Sequence, residues 1–184
     1  PATWTWDALI LDDDLSTDAG WVTTDSAKYN YNATNGNVDF NAASDQTDNR
    51  ITLTLPTTLS DTKWVFRSKV NITTYTQGSQ AQHLLWAYGF TKDDVDASTN
   101  TDFIGFSHVS NTSANALRGI NGNDRNFDRT AGDDFTRGGA VETIYVEMKR
   151  TGALSYSIEL FSDSAFTTSI EKVTGVLEAG ITDL

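Results

Sequence analysis

The sequence predicts an all-β fold, an antiparallel two-sheet β-sandwich, on three observations. First, Val141 to Val173 alternates apolar and polar residues with the two-residue period of a strand that has one buried face. Second, Thr and aromatic residues are frequent while Glu, Lys and Met are scarce, a composition that favours strands and turns over helices. Third, Asp, Asn, Gly and Ser clusters recur at short intervals, and the segments from Val141 to Val173 lack the three- and four-residue apolar spacing of a helix.

Taken in order, Ala2 to Leu11 holds Trp4, Trp6, Leu9, Ile10 and Leu11 and reads as an N-terminal strand with an irregular middle. Asp12-Asp13-Asp14 opens a turn that runs to Gly20, and Trp21 to Thr24 is short and extended. The segments AKYNYNA and NVDFN flank Asn35-Gly36, two residues that tolerate the positive φ of a type I′ hairpin turn. Arg50 to Leu55 alternates and stops at Pro56, which has no N–H to extend a ladder.

Thr62 to Thr73 is a long strand, with Trp64, Phe66, Val70 and Ile72 on one face and Val65, Arg67, Lys69 and Asn71 on the other. Gln82 to Phe90 is apolar on both faces and reads as a central strand; Asp102 to Val109 is another, with Gly105 permitting close approach. From Asn111 to Gly139 the strand signal fades into polar turn residues. Then follow a hairpin broken at Thr151-Gly152, a bend at Ser162-Asp163-Ser164, and a third strand from Thr167 to Val173. Gly180 to Leu184 reads as the start of a further strand.

The 184 residues suit one domain, 1–184, taken as a mature or excised piece of a longer protein. A net charge of -12, carried by 20 Asp and only five Glu, repels nucleic acid and anionic lipid. Asp in such excess belongs to turns, caps and calcium loops. No apolar run approaches the roughly 20 residues of a membrane-spanning helix, which argues against membrane insertion. The absence of cysteine excludes disulfide scaffolds and thiolate metal sites.

The pattern TKWVFRSKVNIT, then DFIGFS, then ETIYVEMKRTGALSYSIELFSDSAFTTSIEKVTG, with an Asp-rich stretch ahead of Gly20-Trp21 and a hairpin ending in VDF, resembles concanavalin A-like (laminin G-like) jelly-roll domains. The resemblance covers most of the chain and implies a jelly-roll sandwich that binds glycans, hydrolyses them, or serves as a surface or fibre module. It rests on core-strand patterns, which specify fold better than function.

Three kinds of chemistry are open. Related glucanases set acids in an E-x-D-x-E strand, so that nucleophile and acid share a face about 5 Å apart. No such motif occurs; Glu142 and Glu147 differ by an odd number of residues and point to opposite faces of a regular strand. His83 and His108 are the two histidines, each in an aromatic-rich strand and neither accompanied by a Ser or Cys motif. A structural calcium ion, frequent in the related domains, is expected at Asp12, Asp13 and Asp14; Asp93, Asp94 and Asp96 and the Asn121-Gly122-Asn123-Asp124 turn are further candidates.

Asn115 to Gly139 interleaves Arg118, Arg125, Arg129 and Arg137 with Asp124, Asp128, Asp133 and Asp134, and with Phe127 and Phe135. Amides, carboxylates and guanidinium groups hydrogen-bond sugar hydroxyls while aromatic faces cover the apolar side. The same residues read equally as a long connection held by its own Arg–Asp pairs. Asn32, Asn71 and Asn111 head glycosylation sequons, a number that chance accounts for.

The expectation is a non-catalytic, extracellular, lectin-like carbohydrate-binding or adhesion module whose partner is a glycan or glycosylated surface. Its ligand-binding set is Trp86, Tyr88, Asn121, Asn123, Asp124, Arg125 and Phe127. The alternatives are a structural subunit of a surface layer, filament or virion fibre self-associating through an open sheet edge, and a glycoside hydrolase without the usual acid motif.

Overall fold

Alternation along Trp64 to Val176 becomes long antiparallel strands, because each sequence position of one parity can be buried while its neighbours stay wet. The computed structural model describes residues 20–24, 29–32, 34–40, 51–74, 84–92, 102–110, 115–123, 126–128, 134–177, 179–182 and 184. Among these there is no helix, and every strand pairing is antiparallel. The chain divides into two units, Pro1–Thr58 and Leu59–Leu184. The N-terminal strand expected at Ala2 to Leu11, and Asp12, Asp13 and Asp14, lie outside the described residues.

In the first unit, β1 (Val22–Thr23) pairs with β4 (Ile51–Thr52), and β2 (Tyr29–Asn32) pairs with β3 (Asn37–Phe40). The expected hairpin is present but its turn is not type I′. Gly36 has φ 59°, whereas Asn35 is not among the positive-φ residues. The Asn35 amide instead donates to the Asn32 carbonyl and to Asn32 Oδ1, both at 3.2 Å. With Asn32 opposite Asn37, the loop is four residues long, built on a tighter turn and closed by one left-handed glycine. Of the strand expected over Arg50 to Leu55, the described residues form only Ile51–Thr52, and Arg50 lies outside them.

The second unit holds two four-stranded sheets. One orders β12 (Ser169–Val176), β11 (Ser155–Phe161), β10 (Glu142–Gly152) and β5 (Trp64–Ile72). The other is a meander of β6 (Leu84–Thr91), β7 (Phe103–Ser110), β8 (Asn115–Asn123) and β9 (Asn126–Asp128). Strands β5 and β10, far apart in sequence, are neighbours, so the meander is inserted between two paired strands of the first sheet. Two expectations change here. Among the described residues the strand containing Trp86 pairs on one side alone, at the edge of its sheet, and not centrally. The stretch from Asn111 to Gly139, expected as irregular, contains β8 and β9 among its described residues. Its alternation is hidden because the inward positions of β8 are Leu117, Gly119 and Asn121, only one of them a large apolar residue.

The facing sides of the two sheets meet in the core of this unit. Ile144, Val146 and Met148 of β10 and Ile158 and Leu160 of β11 are fully buried, each worth roughly 1.5–3 kcal/mol of transfer free energy. Beside them in the same sheet, Phe66 of β5 meets Phe90 of the opposing β6 edge-on at 5.0 Å, and Trp64 meets the same ring at 5.1 Å. Gly119 sits beneath Tyr156: a Cβ there would come within 2.8 Å of the phenol oxygen. Gly105 opposes Gly89 across β6–β7, and a Cβ on it would stand 2.5 Å from the Phe103 ring, so the close approach expected of Gly105 is present.

The segment expected to begin a further strand is irregular at Gly180, Ile181, Thr182 and Leu184. It is nevertheless packed. Ile181 and Leu184 are buried, and the fully buried Arg150 donates through Nη2 to the carbonyls of Ala153 at 2.9 Å and Ile181 at 2.7 Å. The Leu184 carbonyl accepts from the Leu59 amide at 2.6 Å, and Asp102 Oδ2 accepts from the Thr182 amide. The backbone groups of this segment are satisfied by one side-chain donor, one side-chain acceptor and one backbone amide in place of a ladder.

Candidate functional site

Of the residues chosen from sequence, Trp86, Tyr88 and Asn121 are the ones whose side chains are described. Trp86 and Tyr88 point to the inner face of β6. Trp86 stacks on Tyr88 at 6.1 Å and meets His108 at 5.7 Å, while the Tyr88 hydroxyl bonds Ser68 Oγ at 2.8 Å across the two sheets. Burial pushes the Tyr88 phenol well above its ordinary pKa, with the Ser68 bond opposing only weakly. Asn121 is fully buried on β8, its Nδ2 directed at the Val176 carbonyl at 3.5 Å. Asn123 ends β8 and Phe127 is central in β9, the two strands pairing through Gly122 opposite Phe127 and Asn123 opposite Asn126. Asp124 and Arg125, between them, lie outside the described residues, as does His83.

His108 belongs to the interior. It is fully buried, and its Nε2 lies 2.6 Å from Asn115 Oδ1. Asn115 is itself oriented by Gly139, donating to its carbonyl at 2.7 Å and accepting from its amide at 3.1 Å. Desolvation lowers the His108 pKa, and the Asn115 bond only partly opposes it. A neutral imidazole tying β7 to the segment ahead of β10 is a packing element. The expected Arg–Asp pairing is seen nearby: Arg118 to Asp134 at 2.8 Å, with Arg137 forked onto Glu142 at 2.5 and 2.6 Å. Glu171 of β12 takes up the Thr136 amide and hydroxyl at 2.7 and 2.8 Å.

A different site is built on the outer face of the β5–β10–β11–β12 sheet. The loop from Ser162 to Thr168 is organised by one carboxylate. Asp163 Oδ1 accepts from the amides of Ala165 and Thr167 and the Thr167 hydroxyl, and Oδ2 accepts from the Thr168 amide at 2.7 Å. Though burial works to raise it, these bonds hold the Asp163 carboxyl below its ordinary range. The clamp forces Phe166 to φ 56°, the one non-glycine residue at positive φ among those described. For a bulky side chain that is a costly conformation, of order 1 kcal/mol or more.

That backbone turn folds the Phe166 ring back onto the sheet. It stands edge-on to Phe161 at 5.4 Å and to Tyr145 at 6.0 Å, and the Arg67 guanidinium lies over its face at 4.7 Å. Between the loop and the sheet runs a shallow groove of about 240 Å³, lined by Arg67, Ser68, Lys69, Tyr145, Ser164 and Phe166.

Beside the groove a row of charges crosses the sheet. The register places Arg67 opposite Glu147, Glu147 opposite Glu159, and Glu159 opposite Lys172. Two like charges directly opposed are unfavourable, and cations on both sides offset them. Arg67 gives Nε and Nη2 to Glu147 Oε2 at 2.7 Å, Lys149 pairs with its Oε1, and Lys172 reaches Glu159 at 3.3 Å. Desolvation alone would raise the pKa of Glu147, which is 2% exposed, but the Lys149 and Arg67 hydrogen bonds and charges outweigh it and hold it low. A general acid needs the opposite shift. Among the described residues no three or more His, Asp or Glu side chains gather as metal ligands.

Comparisons of the chain with protein-family models, with curated proteins and with solved structures return no match. The groove was missed in the sequence because its parts are spread over three segments: Arg67 and Lys69, then Tyr145, then Ser164 and Phe166. The available signal was Asp163 three residues ahead of an aromatic, in a bend of small polar residues.

Proposed function

We propose that the chain is a concanavalin A-like jelly-roll domain serving as a non-catalytic, extracellular carbohydrate-binding or adhesion module, with its ligand in the groove beneath Phe166. The observation that carries this reading is the strained Phe166 itself. A bulky residue stays at positive φ only where its surroundings over-determine it, and such strain concentrates at ligand clamps. Here it sets an aromatic and guanidinium wall beside an open groove. Tyr145 and Phe166 offer apolar surface to the C–H face of a pyranose, while Arg67, Lys69, Ser164 and the Tyr145 hydroxyl offer polar contacts. No carboxylate lines the groove, and the nearby Glu147 is taken up by Arg67 and Lys149, which supports the reading of a binding module.

A glycan array tests this reading, with Phe166→Ala compared against Asn123→Ala and Arg125→Ala. Loss of binding in Phe166→Ala alone is the expected result. Loss in the other two alone moves the site to the β8–β9 turn, and no glycan bound at millimolar concentration defeats the carbohydrate reading. The proposed structural calcium at Asp12, Asp13 and Asp14 is tested by melting in excess chelator, where an unchanged transition removes the ion.

A second reading, a fibre or surface-layer subunit, is favoured by one feature. Among the described residues strand β12 lies at a sheet edge, and it exposes Ile170 at 41% and Val176 at 60%. Light scattering at high protein concentration tests it, a persistent monomer counting against assembly.

A further inference from the structure

We propose that the groove is selective for an acidic glycan, one whose pyranose carries a carboxylate or sulfate; this rests on the carbohydrate-binding reading of the same groove. The argument is one of donors and acceptors. A neutral sugar presents hydroxyls that both give and receive hydrogen bonds, and sites for such sugars need acceptors as well as donors. The groove has no carboxylate and no amide side chain in its lining. Its charged members, Arg67 and Lys69, are donors only, with no lone pair to offer. Among the lining side chains only the hydroxyls of Ser164, Tyr145 and Ser68 can accept, and that of Ser68 is already bonded to Tyr88 inside the core.

Charge points the same way. The outward side chains of this sheet include Arg67, Lys69, Lys149 and Lys172 against Glu147 and Glu159, on a protein whose net charge is -12. Both carboxylates are taken up by Arg67, Lys149 and Lys172. That leaves Lys69, which among the described residues has no carboxylate within ion-pairing distance and stands at the groove wall. The overall negative field does not override this arrangement, because at physiological ionic strength charges beyond about 8 Å are largely screened. Arg67 adds geometry to charge: its plane is fixed between the Phe166 face and Glu147 Oε2, so its orientation is set before a ligand arrives.

The test is calorimetric titration with four probes: a chondroitin sulfate hexasaccharide, the same sugar desulfated, the same sugar desulfated and carboxyl-reduced, and polyglutamate. The acidic hexasaccharide is expected to bind at least tenfold more tightly than the neutral one, and Lys69→Glu to remove that preference while leaving the melting temperature unchanged. The desulfated probe tells which oxyanion is recognised: retained affinity assigns the carboxylate, lost affinity the sulfate. Equal binding of the neutral and acidic sugars overturns the acidic selectivity and leaves the carbohydrate reading standing. Polyglutamate binding as tightly as the acidic sugar, or no binding by any of the sugars, overturns both.

Discussion

The guanidinium of Arg67 lies 4.7 Å from the centre of the Phe166 ring while its Nε and Nη2 reach Glu147 Oε2 at 2.7 Å. One side chain therefore joins the loop to the sheet. It covers an aromatic with one face and neutralises a nearly buried carboxylate with its edge. Removing it leaves Glu147 in a dry position with Lys149 as its remaining partner among the described residues, so Arg67→Ala is expected to destabilise more than an exposed ion pair would.

Phe166 separates backbone strain from side-chain contact. Phe166→Gly removes the cost of φ 56° but also the ring contacts with Phe161 and Tyr145, so stability should change by less than about 1 kcal/mol. Phe166→Val keeps an L side chain with a branched Cβ at the same φ and should cost about 2 kcal/mol. Urea unfolding of both variants checks the order; valine tolerated better than glycine would refute the strain.

Asp163→Ala removes the acceptor of four hydrogen bonds in the loop. Amide exchange at Thr167 and Thr168 should accelerate to that of an open loop, while exchange within β10 and β11 stays slow. A Phe166 ring that remains packed in this variant, read from its ring-current shifts, would show that the loop does not depend on the carboxylate.

Arg150→Met replaces a fully buried cation of similar length and leaves the carbonyls of Ala153 and Ile181 without a donor. The loss should be about 3 kcal/mol. Ile181→Ala should cost a comparable 2–5 kcal/mol, since its side chain is 2% exposed. Combining the two should give less than the sum, because both release the same C-terminal segment.

Stability should fall on acidification in two stages. The His108 pKa is depressed in the folded chain, so below about pH 6.5 the unfolded state takes up a proton that the native state refuses. Its contribution is complete above that pH and is lost progressively beneath it. Glu147 is also depressed, so its contribution is complete above about pH 4.5 and is lost as pH falls through the lower native value. Denaturation measured from pH 8 to pH 3 should show both steps, and a His108→Gln variant should lack the first. A variant with an unchanged profile between pH 7 and pH 5 would contradict the assignment.

Strand parity was readable in the chain itself. Trp64, Phe66, Val70 and Ile72 face inward as their spacing requires, and the run from Glu142 to Val176 forms the three strands that its alternation describes. Alternation is a local property, so a single sequence carries it. The order of strands is not local. Nothing within LLWAYGFT says that it ends at a sheet edge, and β8 was obscured because Gly119 and Asn121 occupy inward positions where Tyr156 and Val176 supply the bulk. The groove was settled in the same way. Tyr88 and Asn121 carry the residue types of a sugar site, but their side chains bond Ser68 and the Val176 carbonyl of the opposing sheet. Phe166 reached the surface groove because one carboxylate outweighed its backbone preference. Which face a residue serves depends on what the other sheet brings against it, and only the tertiary contacts decide that.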